Sequence, residues 1–144
     1  MADCRQPGSD AAAGARAVGP VRVRADAEAV ARFATALGIA PIRPDGRPVV
    51  PATFPICWML HPAIRSLVYE ATGRGAVVVH EAQDIAYESE IERDGVYDLR
   101  ASVAPGTAPG RIVVTGRVSD LSGRPVCTLT SRLLIIAPSP EQAP

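Results

Sequence analysis

The stretch VPATFPICWMLHPAIRSLVYEATG, residues 50–73, is the longest apolar run of the chain and contains its one Trp. Its second half has apolar residues at helical spacing, namely Ile64, Leu67, Val68 and Ala71. Gly73 predicts the end of this helix, because glycine readily takes the left-handed conformation found at helix C-termini. Pro62 leaves two alternatives for the start: the helix begins there, or an earlier turn is kinked.

Four stretches with alternating apolar residues follow the helix and predict strands. The first covers residues 77–87, and its alternation predicts an inward face of Val77, Val79, Glu81, Gln83, Ile85 and Tyr87. The other inward faces are predicted within residues 97–103, 112–118 and 127–135. Because the links are short, neighbouring strands are expected to pair antiparallel. A sheet with one apolar face needs a cover, so the predicted fold class is α+β, an antiparallel sheet wrapped around the long central helix.

The chain before the central helix divides into a tail, a short strand, a helix and a long connection. Residues 1–20 are rich in Ala and Gly and are expected to be a disordered tail. A short strand is expected at 21–24, and then Asp26 predicts the N-cap of a helix that Gly38 ends. Residues 39–53 contain four prolines and form a connection of the length that is often functional or mobile. The domain is predicted to span 21–137, followed by a polar tail at 138–144.

Composition excludes several function classes. The formal net charge is zero, and seven acidic residues stand against one Arg between residues 81 and 98, so the basic stripe that nucleic acid requires is missing. The three Cys, Cys4, Cys57 and Cys127, match no zinc spacing. Cys57 and Cys127 lie in apolar context and are expected to be buried free thiols in a reducing cytoplasm. No apolar run approaches the roughly 18 residues of a membrane span, and no secretory signal is visible. No metal and no cofactor are expected.

Three motifs carry a resemblance to a known family. They are Pro-x-Thr-Phe-Pro before the central helix, His-x-x-Gln-x-aromatic-x-Tyr in the next strand with Ile for the aromatic, and the closing hairpin at 120–128. The matching residues of the first two are Pro51, Thr53, Phe54, Pro55, His80, Gln83, Ile85 and Tyr87. In this order, over residues 21–136, the chain resembles the MaoC-like branch of the hot-dog fold. It is most similar to the N-terminal half-domain of double hot-dog (R)-3-hydroxyacyl-thioester dehydratases.

The resemblance implies a single hot-dog fold and a dimer in which two sheets join edge to edge. It implies an acyl-thioester substrate, carried by coenzyme A or by acyl-carrier protein, and reversible dehydration in fatty-acid or polyketide metabolism. In this family the acyl carbonyl commonly faces the N-terminus of the central helix, where backbone N–H groups stabilise an enolate-like oxygen. That position corresponds here to residues 56–60.

The chain departs from the family at the catalytic Asp/His dyad. The place of the Asp is held by about Ile39, and that of the His by about Arg43 or Pro44. Three alternatives follow: a heterodimer with a dyad-bearing MaoC-like chain, a non-catalytic binding protein, or a different reaction such as cyclisation or isomerisation. A thioesterase is less expected, because the helix carries no acidic residue before Glu70.

Two residues are the catalytic candidates. His61 stands at the start of the central helix and is a candidate acid or base; its alternative role is a helix cap. Glu81 stands on the predicted inward face, where an apolar environment would raise the pKa of a carboxyl. The alternative for Glu81 is a strand residue that reaches water.

The candidate substrate-binding residues surround these two. They are Phe54, Ile56, Cys57, Trp58, His80, Gln83 and Tyr87. Core packing is the alternative for Cys57, since no triad accompanies it. His80 alternates to the polar face, which favours a structural or interface role. Gln83 and Tyr87 either bind a ligand carbonyl or satisfy buried backbone groups.

Overall fold

The computed structural model describes residues 16–40 and 42–138, and within them five strands form one antiparallel sheet. The strands are β1 Arg16–Arg24, β2 Val77–Tyr87, β3 Val96–Pro105, β4 Arg111–Ser119 and β5 Pro125–Ile136. Their order across the sheet is β1-β3-β4-β5-β2. The tail predicted at 1–20 is wrong for its last five residues, because β1 already begins at Arg16. Cys4 and most of both predicted tails lie outside the described residues.

The helices form where capping residues and apolar spacing predict them. α1 spans Ala27–Ala36, and the Asp26 side chain accepts from the N–H groups of Glu28 and Ala29 at its N-terminus. A 3₁₀ helix, Phe54–Leu60, leads to α2, Pro62–Thr72. α2 therefore begins at Pro62, which selects the first of the two predicted alternatives. Gly73 ends it with φ 83°, a conformation that glycine adopts without steric cost.

The order of strands differs from the expected chain of hairpins at one place. β3, β4 and β5 pair as consecutive antiparallel neighbours, as predicted. β2 pairs instead with β5 at one edge, and β1 pairs with β3 at the other. The link between β2 and β3 thus runs along one end of the sheet, where Asp94 and Gly95 exchange backbone hydrogen bonds with Ala25. A link of this length permits either arrangement, so its shortness did not determine the pairing.

One face of the sheet, called here the inner face, packs against α2. Its residues on β3, β4 and β5 are buried as the alternation predicted: Leu99, Ala101, Val103, Ile112, Val114, Val118, Cys127, Leu129 and Leu133. α2 contributes Ile64 and Leu67 to this core and lies over β1 and β3. The helix therefore covers one half of the inner face, and the half formed by β2 and β5 is left to other groups.

A β-bulge in β2 changes which of its residues face inward. His80 pairs with Leu133 and Ala82 pairs with Arg132, so Glu81 is the extra residue between two partners that are consecutive on β5. An extra residue shifts the two-residue alternation of a strand by one. Val78 and His80 therefore face inward before the bulge, and Gln83 and Ile85 face inward after it. The predicted inward position of Glu81 is wrong for this reason.

Candidate functional site

A cavity of about 380 Å³ lies between the helices and the half of the inner face that α2 leaves uncovered. Its wall is mostly apolar. The helices contribute Ile56, Met59, Leu60, Ile64, Arg65, Val68 and Tyr69, and the strands contribute Val78, His80, Gln83, Val114, Ser131 and Leu133. A ligand with an apolar chain fits such a wall, and the few polar groups would fix its orientation.

The polar groups of the strand wall form one connected set. Ser131 donates its hydroxyl hydrogen to Gln83 Oε1, and His80 Nε2 lies 3.3 Å from the same oxygen. Gln83 Nε2 donates in turn to the backbone oxygen of Asp84 at 3.1 Å. Ser131 is the buried polar member, with a relative exposure of 6%. β5 places Ser131 directly opposite Gln83, and the bulge in β2 brings His80 to the same face.

A hydrogen bond between His80 and Gln83 requires one particular tautomer of a neutral His80 ring. The amide nitrogen of Gln83 is engaged by Asp84, so its oxygen is the atom that faces both Ser131 and His80. A carbonyl oxygen can only accept, and His80 Nε2 must therefore carry the hydrogen. The lone pair of the neutral ring is then on Nδ1. The arrangement resembles the general pattern in which one ring nitrogen is held so that the other is available for proton transfer.

Arg65 supplies the cation of the cavity. It lies in the first part of α2 among the lining residues, and its side chain is exposed. Among the residues that the structure describes, it forms no ion pair within 4.0 Å. An apolar cavity bordered by a cation is suited to a molecule with an apolar chain and an anionic part.

The N-terminus of α2 has no free N–H group in its first turn. Pro62 lacks an N–H, and Ala63 donates to Nδ1 of His61 at 3.2 Å. Ile64 and Arg65 both donate to the backbone oxygen of His61. A carbonyl oxygen placed over this turn would have to compete with hydrogen bonds that already exist. The first turn of α2 therefore offers no free backbone donor to such an oxygen, and the carbonyl position expected at residues 56–60 stays a prediction.

The two predicted catalytic residues lie outside the cavity lining. His61 is the N-cap of α2, where its ring accepts a backbone hydrogen bond, the alternative that the sequence also offered. Glu81 points to the outer face of the sheet and forms a two-pronged ion pair with Arg111 at 2.8 and 2.9 Å. The structure brings neither side chain to the residues that line the cavity.

The predicted substrate-binding residues divide into two groups. Ile56, His80 and Gln83 line the cavity. Phe54 and Trp58 belong to the core, with their rings edge to face at 5.8 Å and the Trp58 indole N–H donating to the backbone oxygen of Arg24.

Tyr87 and Cys57 complete that second group. Tyr87 donates its hydroxyl hydrogen to the backbone oxygen of Ala52 at 2.6 Å and so attaches the proline-rich connection to β2. Burial raises the pKa of Tyr87 to about 12, so the hydroxyl keeps its proton above pH 10, where an exposed tyrosine loses it. Cys57 is at an exposed position, so the core packing expected for it is wrong. Partial desolvation raises the pKa of its thiol, the opposite of what a nucleophile needs.

Several lining residues are absent from the residues predicted from sequence. The alternation predicts an inward position for Ser131, and the signal there is a lone polar residue in an otherwise apolar face. The helical spacing indicates only the core face of α2, so it does not predict that Arg65 and Tyr69 line the cavity. Within residues 16–40 and 42–138 no group of three or more His, Cys, Asp or Glu is arranged to hold a metal ion. No helix in that part of the chain is long and apolar enough to cross a membrane.

No protein-family model matches this chain, and no curated protein matches its sequence. Solved structures do match. The truncated HadBC (3R)-hydroxyacyl-ACP dehydratase complex of Mycobacterium tuberculosis superposes with a TM-score of 0.67 at 13% identity, covering 81% of this chain and 92% of that chain. The (R)-hydratase of A. caviae involved in PHA biosynthesis gives 0.57 at 15% identity, with coverages of 83% and 92%.

A hot-dog-like protein from Thermanaerovibrio acidaminovorans gives a TM-score of 0.55 at 13% identity, covering 85% of this chain and 81% of that chain. Identities this low show the fold alone. The chain has a single hot-dog fold of the α+β class, as the resemblance in its motifs implied.

Proposed function

We propose that the cavity binds the acyl part of an acyl thioester and that His80 is the acid–base residue of a hydratase- or dehydratase-type reaction there. The observation that carries this proposal is the imidazole of His80 on the wall of an otherwise apolar cavity, where it faces Gln83 Oε1, an oxygen that also accepts from Ser131. The fold supports it, because the solved structures with this fold include a dehydratase and a hydratase that are named for such reactions.

The proposed chemistry requires one residue that first accepts and then donates a proton. In a 3-hydroxyacyl thioester, the thioester carbonyl acidifies the hydrogen on C2. Nδ1 of His80 would take that proton, the C2–C3 double bond would form, and the C3–O bond would break with return of the same proton to the leaving hydroxyl as water. Gln83 Oε1 would accept from Nε2–H throughout and stabilise the imidazolium. A single group doing both steps would replace the missing Asp/His dyad.

The cation at the cavity border fits the rest of such a ligand. Coenzyme A and the phosphopantetheine of a carrier protein both carry phosphate groups, and a guanidinium binds phosphate well. Arg65 is the candidate for that contact. The volume of about 380 Å³ is sufficient for a short acyl chain rather than a long one.

A second function is favoured by a different observation. The dyad is absent, and the first turn of α2 has its N–H groups already bonded, so an oxyanion formed there would find no free donor. A non-catalytic subunit that only binds the acyl group would need neither feature. In that case a dyad-bearing MaoC-like chain would supply the chemistry.

Either function is proposed to require a second chain at the β2 edge. β2 is an outermost strand of the sheet, and its edge region exposes apolar side chains, Val77 at 59%, Val79 at 39% and Ile136 at 48%. An unpaired apolar edge is a place for pairing with another strand. A homodimer would serve the catalytic function, and a heterodimer would serve the binding function.

The two histidines of the chain give a matched test. Purified protein is assayed for hydration of short enoyl-CoA thioesters, and H80N is compared with H61N. We expect H80N to lose at least about a hundredfold in kcat/KM, the usual size of a general acid–base contribution, with its fold intact by circular dichroism. H61N should keep its stability, because Asn is among the preferred N-cap residues and can accept the same backbone N–H, and it should retain turnover.

Loss of turnover in H61N but not in H80N would contradict the role given to His80. If the unmodified chain shows no turnover but binds acyl-CoA with an affinity that H80N and R65Q reduce, the binding function stands instead. No saturable binding of any acyl thioester, alone or with a dyad-bearing partner chain, would contradict both.

A further inference from the structure

The outer face of the sheet, away from α2 and the cavity, carries strand arginines of two kinds. Four of them are paired with carboxylates at 2.6 to 3.1 Å: Arg22 with Asp98, Arg24 with Asp94, Arg111 with Glu81, and Arg132 with Asp84. The other two, Arg100 on β3 and Arg117 on β4, form no ion pair with any residue that the structure describes. The paired arginines surround the unpaired two.

Arg100 and Arg117 face each other directly. They are register partners across the β3–β4 pair, and side chains in that position lie side by side on one face of the sheet. Like charges directly opposite each other destabilise a sheet. Each neighbouring arginine of the outer face has a carboxylate partner, whereas Arg100 and Arg117 lie side by side with no carboxylate partner among the described residues.

The backbone beside this pair opens a hollow. β1 follows β3 in register up to Val18 and again from Val21, and the two residues between them, Gly19 and Pro20, bulge out beside Arg100. Gly19 has φ 112°, and a Cβ added there would lie 2.6 Å from the backbone oxygen of Leu99, so the close approach of the bulge to β3 requires glycine. The resulting hollow has a volume of about 300 Å³.

The hollow combines two guanidinium groups with hydroxyl donors. Arg100, Arg117, Ser102 and Thr115 all line it, and Ser102 is the register partner of Thr115 just as Arg100 is of Arg117. The four side chains form a square of two cations and two hydroxyl groups on one face. Guanidinium forks and hydroxyl hydrogens are the groups that bind phosphate oxygens in proteins.

We propose that this hollow is a binding site for a small dianion of the phosphate class, either inorganic phosphate or the phosphoryl group of a small phosphate monoester. The ligand would neutralise the opposed arginines and accept hydrogen bonds from Ser102 and Thr115. The site lies on the face of the sheet opposite to the cavity, so it is independent of the function proposed above. A single acyl thioester in the cavity does not reach it.

The test is the melting temperature as a function of inorganic phosphate, with ionic strength held constant by chloride. The full chain is compared with R117Q and with R24Q, a matched control that removes the same charge from the outer face but from an ion-paired arginine. The unmodified chain and R24Q should show a saturable rise. R117Q should lose at least about tenfold in apparent affinity, the equivalent of one charge-assisted hydrogen bond.

R117Q should also melt no lower than the unmodified chain when phosphate is absent, because one of the two opposed charges is gone. This measurement shows that the variant is folded. Glycerol phosphate is titrated in parallel, and a stronger response to it than to phosphate would identify the ligand as a monoester. The absence of a phosphate-specific rise in the unmodified chain, or an equal rise in R117Q, would overturn the proposal.

Discussion

The two halves of the inner sheet face have the same kind of sequence but different surroundings. On β3, Leu99, Ala101 and Val103 are at most 3% exposed beneath α2. On β5 and β2, Leu133, Ser131 and His80 face the cavity. The reason is width: five strands about 4.8 Å apart form a sheet about 20 Å wide, whereas one helix with its side chains is about 10 Å across. One helix can cover only half, and the site occupies the remainder.

We expect the largest loss of stability at Leu99, and a matched substitution at Leu133 compares the two halves. Leu99 is fully buried under the helix, whereas Leu133 borders the cavity. L99A should lower the free energy of unfolding by about 3–5 kcal/mol, because a well-packed site cannot collapse, and L133A by about 1–2 kcal/mol. Chemical denaturation measures both. Equal losses would show that the β5 side is packed as tightly as the β3 side.

A second prediction concerns the border between the halves. A Cβ on Gly116 of β4 would lie 2.6 Å from Sδ of Met59, which lines the cavity. G116A should therefore push the flexible Met59 side chain toward the cavity and cost about 1 kcal/mol. The sharper readout is ligand size: the variant should prefer a shorter acyl chain than the unmodified protein. An unchanged preference would mean that Met59 does not limit the cavity.

A third prediction tests the far end of β2, where the inner face meets the proline-rich connection. The pKa of Tyr87 is raised by burial to about 12, so its contribution to stability is present below pH 10 and is lost as the pH rises toward 12. Y87F should lose about 1 kcal/mol at neutral pH, since Ala52 loses its hydrogen bond. It should also show a shallower decline of stability between about pH 10 and 12, measured by urea denaturation. The same slope in both proteins would contradict this assignment.

The smallest expected effect lies on the outer face, at the bulge residue. Glu81 and Arg111 are both partly exposed, so their ion pair should contribute less than about 1 kcal/mol. E81Q should therefore change stability little and leave acyl-thioester binding and turnover as they were. A large loss of activity would support the inward, catalytic role that the simple alternation predicted for this residue.

The sequence was sufficient for most of the fold. The apolar spacing predicted α2, Asp26 and Gly38 bounded α1, and the alternation predicted the inner faces of β3, β4 and β5. These features depend on local chemistry and on burial of one face, which a single strand or helix expresses by itself. The position of β2 in the sheet depends on a pairing with β5 across the whole domain, and its short link to β3 carried no information about it.

The site was predicted less well because it depends on the bulge. Strict alternation puts His80 on the outer face and Glu81 on the inner one, and the pairing of β2 with β5 reverses both. A signal was nevertheless present. His80 and Gln83 are three residues apart, a spacing that brings two strand residues to one face only if an extra residue lies between them. Reading that motif as one functional unit would have predicted the bulge.

The function proposed for the cavity requires that an acyl group binds beside His80 and not at the N-cap His61. Long-range proton–nitrogen NMR spectra resolve the two histidines, and the ligand is a short saturated acyl-CoA, which cannot be hydrated, with coenzyme A alone as control. We expect the neutral form of the His80 ring to carry its hydrogen on Nε2, and its Nδ1 resonance to shift on addition of the acyl-CoA but not of coenzyme A. A shift confined to His61, or no shift of either ring at saturating ligand, would contradict it.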